Sequence, residues 1–185
     1  MDQNDIPEGV LDCIVVLDHD AFLREKKGLK SDAISNIPTP CFSSIRAHPD
    51  CISLEAIIID DDLIPEDKFG DFIYLLAFHE MKEVIFYAKN PEKLIEALKS
   101  VQTGQPISDE AHLCALKEEI KMAYKIGVSQ EYQKYWEGFF DDAESKGVDE
   151  KTYKELENRR RIREEAFAEV GREIGFEINS ELAKR

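Results

Sequence analysis

The segment 75–86 places one histidine and two carboxylates inside a strongly apolar run, Leu-Leu-Ala-Phe-His-Glu-Met-Lys-Glu-Val-Ile-Phe. On a helical period of 3.6 residues, His79 and Glu83 share one face, and the other members of that face are apolar. Both polar side chains therefore point where water is scarce. An ionised carboxylate buried there costs several kcal/mol unless a cation or strong hydrogen-bond donors compensate. A bound metal ion would be such a cation.

A second helix carries the same combination of residues. It is predicted from Ser108, a good N-cap, to about Ile126, and Gly127 ends it. His112 and Glu119 lie two turns apart on its apolar face. Two consecutive helices that each bury a histidine and a carboxylate favour one site shared between them.

These residues suit a metal site of a defined type. A histidine and a carboxylate at positions i and i+4 lie one above the other, so His79 and Glu83 can bind one ion. His112 on the next helix supplies a third ligand, and the fourth position stays open for water, as in catalytic zinc sites. Glu80 is then predicted as the general base that takes a proton from the activated water. Glu119 is predicted either as a fourth ligand or as the carboxylate that orients the ring of His112.

The order of the predicted elements, strands first and helices afterwards, indicates an α+β fold. We expect a small antiparallel or mixed sheet from the N-terminal third, packed on a mainly helical C-terminal two-thirds. Strands are predicted over 41–47 and 52–60 as a hairpin. Residues 10–17 are either a strand, which their β-branched content favours, or the start of a helix. Helices are predicted over 20–30, 66–89, 91–101 and 108–126, and then to the C-terminus with breaks near Gly138, Gly147 and Gly171.

The strand over 56–60, the short turn and the helix that reads His-Glu-x-x-Glu resemble the zincin metallopeptidases, with the similarity extending over residues 52–126. In that family the helix reads His-Glu-x-x-His, and in the gluzincin branch a glutamate on a later helix completes the zinc site. Here Glu83 stands in place of the second histidine and His112 stands on the later helix. The resemblance implies one zinc ion per chain and hydrolysis of a peptide added to the strand 56–60 as an edge strand.

Other interpretations of the same residues remain open. The two helices could instead form a buried polar cluster, in a catalytically inactive zincin-like interaction module with or without a structural metal. A di-metal site could use the ligand residues of these helices, although the Glu-x-x-His pattern of ferritin-like sites is absent; those residues are Glu80, Glu83, Glu110, His112, Glu118 and Glu119. A separate structural zinc could be held by Cys41, His48 and Cys51, with Cys13 or His19 as the fourth ligand.

The charge of the chain limits its partners. It has 39 acidic and 24 basic residues and a net charge of −15, so neither nucleic acid nor an anionic membrane surface is expected as a partner. The basic run at 159–163 is predicted to be a solvated helix face. No apolar run approaches the roughly 20 residues that span a bilayer, and the N-terminus lacks a hydrophobic signal segment. We therefore expect a cytoplasmic protein with four reduced cysteines.

Two domains are predicted: a zincin-like metal-binding core over 1–128 and a helical extension over 129–185. The extension carries an aromatic stripe at helical spacing, which is typical of a core; its members are Tyr132, Tyr135, Trp136, Phe139 and Phe140. Apolar positions beyond residue 151 would let the extension pack on the core or form a homodimer. The partner expected from the sequence is therefore a peptide or protein, or a second copy of the chain.

Overall fold

The α+β prediction is confirmed: the N-terminal part forms a small three-stranded mixed sheet, and the C-terminal part is helical. The computed structural model describes residues 10–28, 38–47, 52–103 and 109–182. The strands in this part of the chain are β1 (Ile14–Leu17), β2 (Cys41–Ala47) and β3 (Ile52–Asp60). Its α-helices are α1 (His19–Gly28), α2 (Phe69–Lys89), α3 (Pro91–Thr103), α4 (Glu110–Lys125), α5 (Ser129–Ser145) and α6 (Glu150–Leu182).

The sheet is mixed, and β3 lies at its centre. The strand order is β1-β3-β2, with β1 parallel and β2 antiparallel to β3. The antiparallel pairing expected of a hairpin is therefore confirmed, whereas the connection at 48–51 lies outside the described residues. The prediction that 56–60 is an edge strand is wrong, because β3 is hydrogen-bonded on both sides. Within this sheet β2 is an edge strand.

The middle of β3 is buried because it consists of three consecutive isoleucines, 57–59. Ile57 and Ile59 are completely buried and Ile58 nearly so, as is typical of a central strand covered on both faces. One face packs on α1, where Phe22 contacts Phe42 with ring centroids 5.2 Å apart. Helix α2 contacts both β3 and β2. The sheet therefore supports the helix that carries His79.

Helix α2 has clear physical limits at both ends. A 3-10 turn over Glu66–Lys68 precedes it, so the α-helix begins three residues later than the sequence predicts. At the other end, the Asn90 side-chain amide donates to the carbonyl oxygen of Phe86 at 2.8 Å. Pro91 follows, and the residue before a proline is pushed out of the helical region. This end agrees with the prediction.

The predicted glycine breaks are partly wrong. Gly127 and Gly147 have positive φ angles of 81° and 70° and lie just beyond α4 and α5, where such residues end helices. Gly138 and Gly171 instead lie inside α5 and α6. At Gly171 a Cβ atom would come within 2.9 Å of the Tyr124 hydroxyl, so the glycine permits a close approach to α4. A glycine inside a helix costs only about 1 kcal/mol, which packing can offset.

The chain divides into two compact units, residues 1–115 and 116–185. Helix α4 contributes its first turns to one unit and the remainder to the other. The division after residue 128 into a metal-binding core and an extension stays a prediction, because it concerns what each part does. Among the described helices, none combines the length and apolar character that crossing a membrane requires.

Candidate metal centre

Three side chains predicted from the sequence meet at one point. His79 on α2 has its Nε2 atom 3.0 Å from Oε1 of Glu83, one turn further along the same helix. His112 on α4 places Nδ1 2.8 Å from the same oxygen and 3.1 Å from Nε2 of His79. The two rings meet edge to face, with centroids 4.8 Å apart. The helical spacing thus brings His79 and Glu83 together, and the fold adds His112.

Hydrogen bonds can satisfy two of the three contacts of this triangle at once, but not all three. Each ring nitrogen directs either one proton or one lone pair toward the group. If the two nitrogens bond each other, the acceptor nitrogen cannot also donate to Oε1 of Glu83. If both donate to that oxygen, two N–H groups of like polarity lie 3.1 Å apart. A cation removes the conflict, because both nitrogens and the oxygen then direct lone pairs at one centre.

The spacing of the three atoms fits a small divalent ion. Zinc binds histidine nitrogen and carboxylate oxygen at about 2.0–2.2 Å, so tetrahedral ligand atoms lie about 3.3 Å apart. The three edges here are 2.8, 3.0 and 3.1 Å and need to lengthen only slightly. His79 is buried, whereas the His112 side chain is 33% exposed, which gives the group access to solvent.

The histidines also decide the protonation state of Glu83. Burial by itself raises the pKa of this carboxyl group, but hydrogen bonds from His112 and His79 and the charges of these rings outweigh burial. The pKa of Glu83 therefore lies well below its usual value of 4.5. An ionised carboxylate is the form that a metal ion requires.

This shift predicts an acid-dependent loss of stability in the metal-free protein. Because the folded state holds Glu83 ionised, the unfolded chain binds this proton more readily, and stability falls as the pH drops below about 4.5. The slope due to Glu83 should be about 1 kcal/mol per pH unit. Urea unfolding with a chelator, between pH 3 and 6, should show a shallower slope for Glu83→Gln. Glu92→Gln, at an exposed position on α3, is the control and should keep the wild-type slope.

Glu80, the predicted general base, is buried against the sheet. Its Oε1 accepts a hydrogen bond from the Cys41 thiol on β2, with a sulfur–oxygen distance of 3.4 Å. Burial raises the pKa of Glu80, and the negative charge of Glu83 raises it further. His79 and the donors Ser43 and Cys41 act in the opposite direction. A carboxyl group with a raised pKa is suited to accept a proton near neutral pH.

Glu119 lies in the second compact unit, outside the group formed by His79, Glu83 and His112. It is completely buried, and its Oε1 accepts a hydrogen bond of 2.8 Å from Nη1 of Arg163 on α6. Sequence reasoning did not identify this partner. The interpretation of the whole run 159–163 as solvated is wrong for Arg163, which is buried and stacks on Trp136, with Cζ 3.6 Å from the ring centroid.

A second acidic group lies at the end of β3. Asp60, Asp61 and Asp62 bring carboxylate oxygens within 4.8 Å of one another. The ring of His19 binds the buried Asp60, with Nδ1 2.6 Å from Oδ2, and the His19 backbone N–H donates to Asp62. Burial raises the pKa of Asp60, while His19 lowers it.

Comparisons with protein-family models, curated proteins and solved structures found no match to this chain. The zincin resemblance therefore rests on the residues of this chain alone. The alternative zinc site at Cys41 includes His48 and Cys51, which lie outside the described residues. The di-metal alternative stays a prediction, and so does the homodimer through the C-terminal helices.

Proposed function

We propose that this protein binds one zinc ion per chain through His79, Glu83 and His112. The observation that carries the proposal is the triangle of ligand atoms, with edges of 2.8–3.1 Å, whose three contacts a single small cation would satisfy together. A bound zinc ion supplies Lewis acidity and lowers the pKa of water to near neutral. Three protein ligands leave one position of a tetrahedral ion open, which is the arrangement of catalytic zinc sites.

The reaction that these residues support best is hydrolysis of a peptide bond by a zincin-like mechanism. Glu80 follows the first ligand directly, and its raised pKa suits a group that takes up a proton from water and later releases it to the leaving amine. A peptide in extended conformation would pair with an edge strand of the sheet. That strand is β2, beside Glu80, since β3 is central.

A second candidate function is a catalytically inactive interaction module that keeps a structural metal. The observation that favours it is the burial of Glu80, which is only 8% exposed and so has little contact with water. Zinc binding is common to both functions, and only the first requires peptide hydrolysis.

Elemental analysis and a peptide-cleavage screen test the proposal in that order. We expect about one zinc per chain in the full-length protein, both in the wild type and in Glu80→Gln. Cleavage of an unstructured peptide library should occur with the zinc-loaded wild type and be abolished in Glu80→Gln. If zinc does not bind even when added in excess, the proposal fails entirely. Zinc binding without cleavage selects the inactive module.

A further inference from the structure

The contact between β2 and α2 ties the candidate base to one particular residue. Cys41 and Glu80 are 6% and 8% exposed, and the thiol lies 3.4 Å from Oε1 of the carboxyl group. Buried polar groups at this depth need partners, and loss of the thiol would remove one donor from the carboxyl group. This hydrogen bond therefore links Cys41, the first residue of β2, to Glu80, which directly follows the proposed ligand His79.

The alternation of side chains along β2 separates this contact from the rest of the strand. Ser43, two residues further along, lies on the same face and also acts on Glu80 as a hydrogen-bond donor. Ser44 lies on the opposite face, where its hydroxyl donates to Glu55 at an exposed position. One face of β2 is therefore built to receive the Glu80 carboxyl group, and the other is not.

We infer that Cys41 is a positioning residue, whose thiol holds the Glu80 carboxyl group in the orientation that the zinc site uses. The inference rests on the proposed function. A glutamate side chain has three rotatable bonds, and fixing them costs rotamer entropy. A donor supplied by the sheet fixes the orientation of the carboxyl group before any ligand arrives. Glu80 also directly follows the proposed ligand His79 on α2.

The test measures binding of acetohydroxamate to the zinc-loaded, full-length protein. This probe chelates zinc and carries donor groups that can bond to a neighbouring carboxylate. We expect Glu80→Gln and Cys41→Ala each to weaken the affinity about fivefold, the loss of about one hydrogen bond. Cys41→Ser retains a donor and should restore the affinity to within about twofold of the wild type. Ser44→Ala, the control on the other face of β2, should leave it unchanged.

Zinc content and thermal stability, measured on every variant, separate positioning from a structural role. A structural role would lower stability without a selective effect on the probe. Equal affinity of the wild type and Cys41→Ala for the probe, with zinc retained in both, would overturn the inference while leaving the zinc site intact. So would a Cys41→Ser variant as weak as Cys41→Ala. Absence of zinc from the wild type would overturn the proposed function, and this inference with it.

Discussion

Replacing either His79 or His112 by alanine should weaken zinc binding by more than about 100-fold. The reason is that partners which merely orient a metal ligand already contribute 10- to 100-fold, and loss of a ligand removes more. Glu83→Gln keeps the shape of the side chain but removes the charge, so it should also weaken binding, with His79 and His112 still in place. Competition with a chromophoric chelator measures all three affinities on the full-length chain.

His19→Ala is the matched control for the histidine variants. His19 is 46% exposed at the start of α1 and bonds to Asp60, outside the proposed ligand group. Its loss should leave zinc affinity unchanged. Because His79 is buried, His79→Ala can also disturb packing, and the partly exposed His112 gives the cleaner variant. Unchanged zinc affinity in a folded His112→Ala protein would exclude this ligand set.

Much of the secondary structure could be predicted from local patterns. The observed limits of β2 and β3, Cys41–Ala47 and Ile52–Asp60, agree with the predicted strands. The order of the strands could not be predicted, since the parallel pairing of β1 with β3 joins segments 43 residues apart at Ile14 and Ile57. A signal was present nevertheless: the uninterrupted isoleucines 57–59 are typical of a strand that is covered on both faces.

The candidate metal centre was also predictable in part, where local patterns along one helix determine it. The spacing of His79 and Glu83 follows from helix geometry alone, and their contact of 3.0 Å needs no tertiary information. The contact of His112 with both depends on how two helices meet, and sequence could only suggest it. The partners of Glu80 and Glu119 come from β2 and α6, 39 and 44 residues away, and no local pattern specifies such pairs.

The buried pair of Glu119 and Arg163 explains why Glu119 need not be a metal ligand. The guanidinium group compensates the charge of the completely buried carboxylate. The sequence instead predicts that a metal ion would do so. Burial, and then the charge of Glu119, raise the pKa of the buried Tyr132 well above its usual value, whereas the charge of Arg163 lowers it. Helical spacing could have predicted that Arg163 is buried, because it shares a helix face with the buried Leu156 and Phe167.

Arg163→Met should lower the free energy of unfolding by about 3–5 kcal/mol, because it leaves the charge of Glu119 buried without its partner. The double variant Glu119→Leu with Arg163→Met removes both charges and should recover most of that loss. Urea unfolding followed by fluorescence measures the effect at the site, since Trp136 is the single tryptophan of the chain and stacks on Arg163.

Arg159→Met provides the matched control for this pair. Arg159 bonds to Glu155 one turn before it on α6, at 3.0 Å, with side chains that are 37% and 41% exposed. Removal of such a solvent-exposed ion pair should cost less than about 1 kcal/mol. Zinc affinity should be the same in the wild type, the control and the double variant, because Glu119 then acts only in its own unit. Loss of zinc from the folded double variant, with affinity retained in Arg159→Met, would instead return Glu119 to the ligand set.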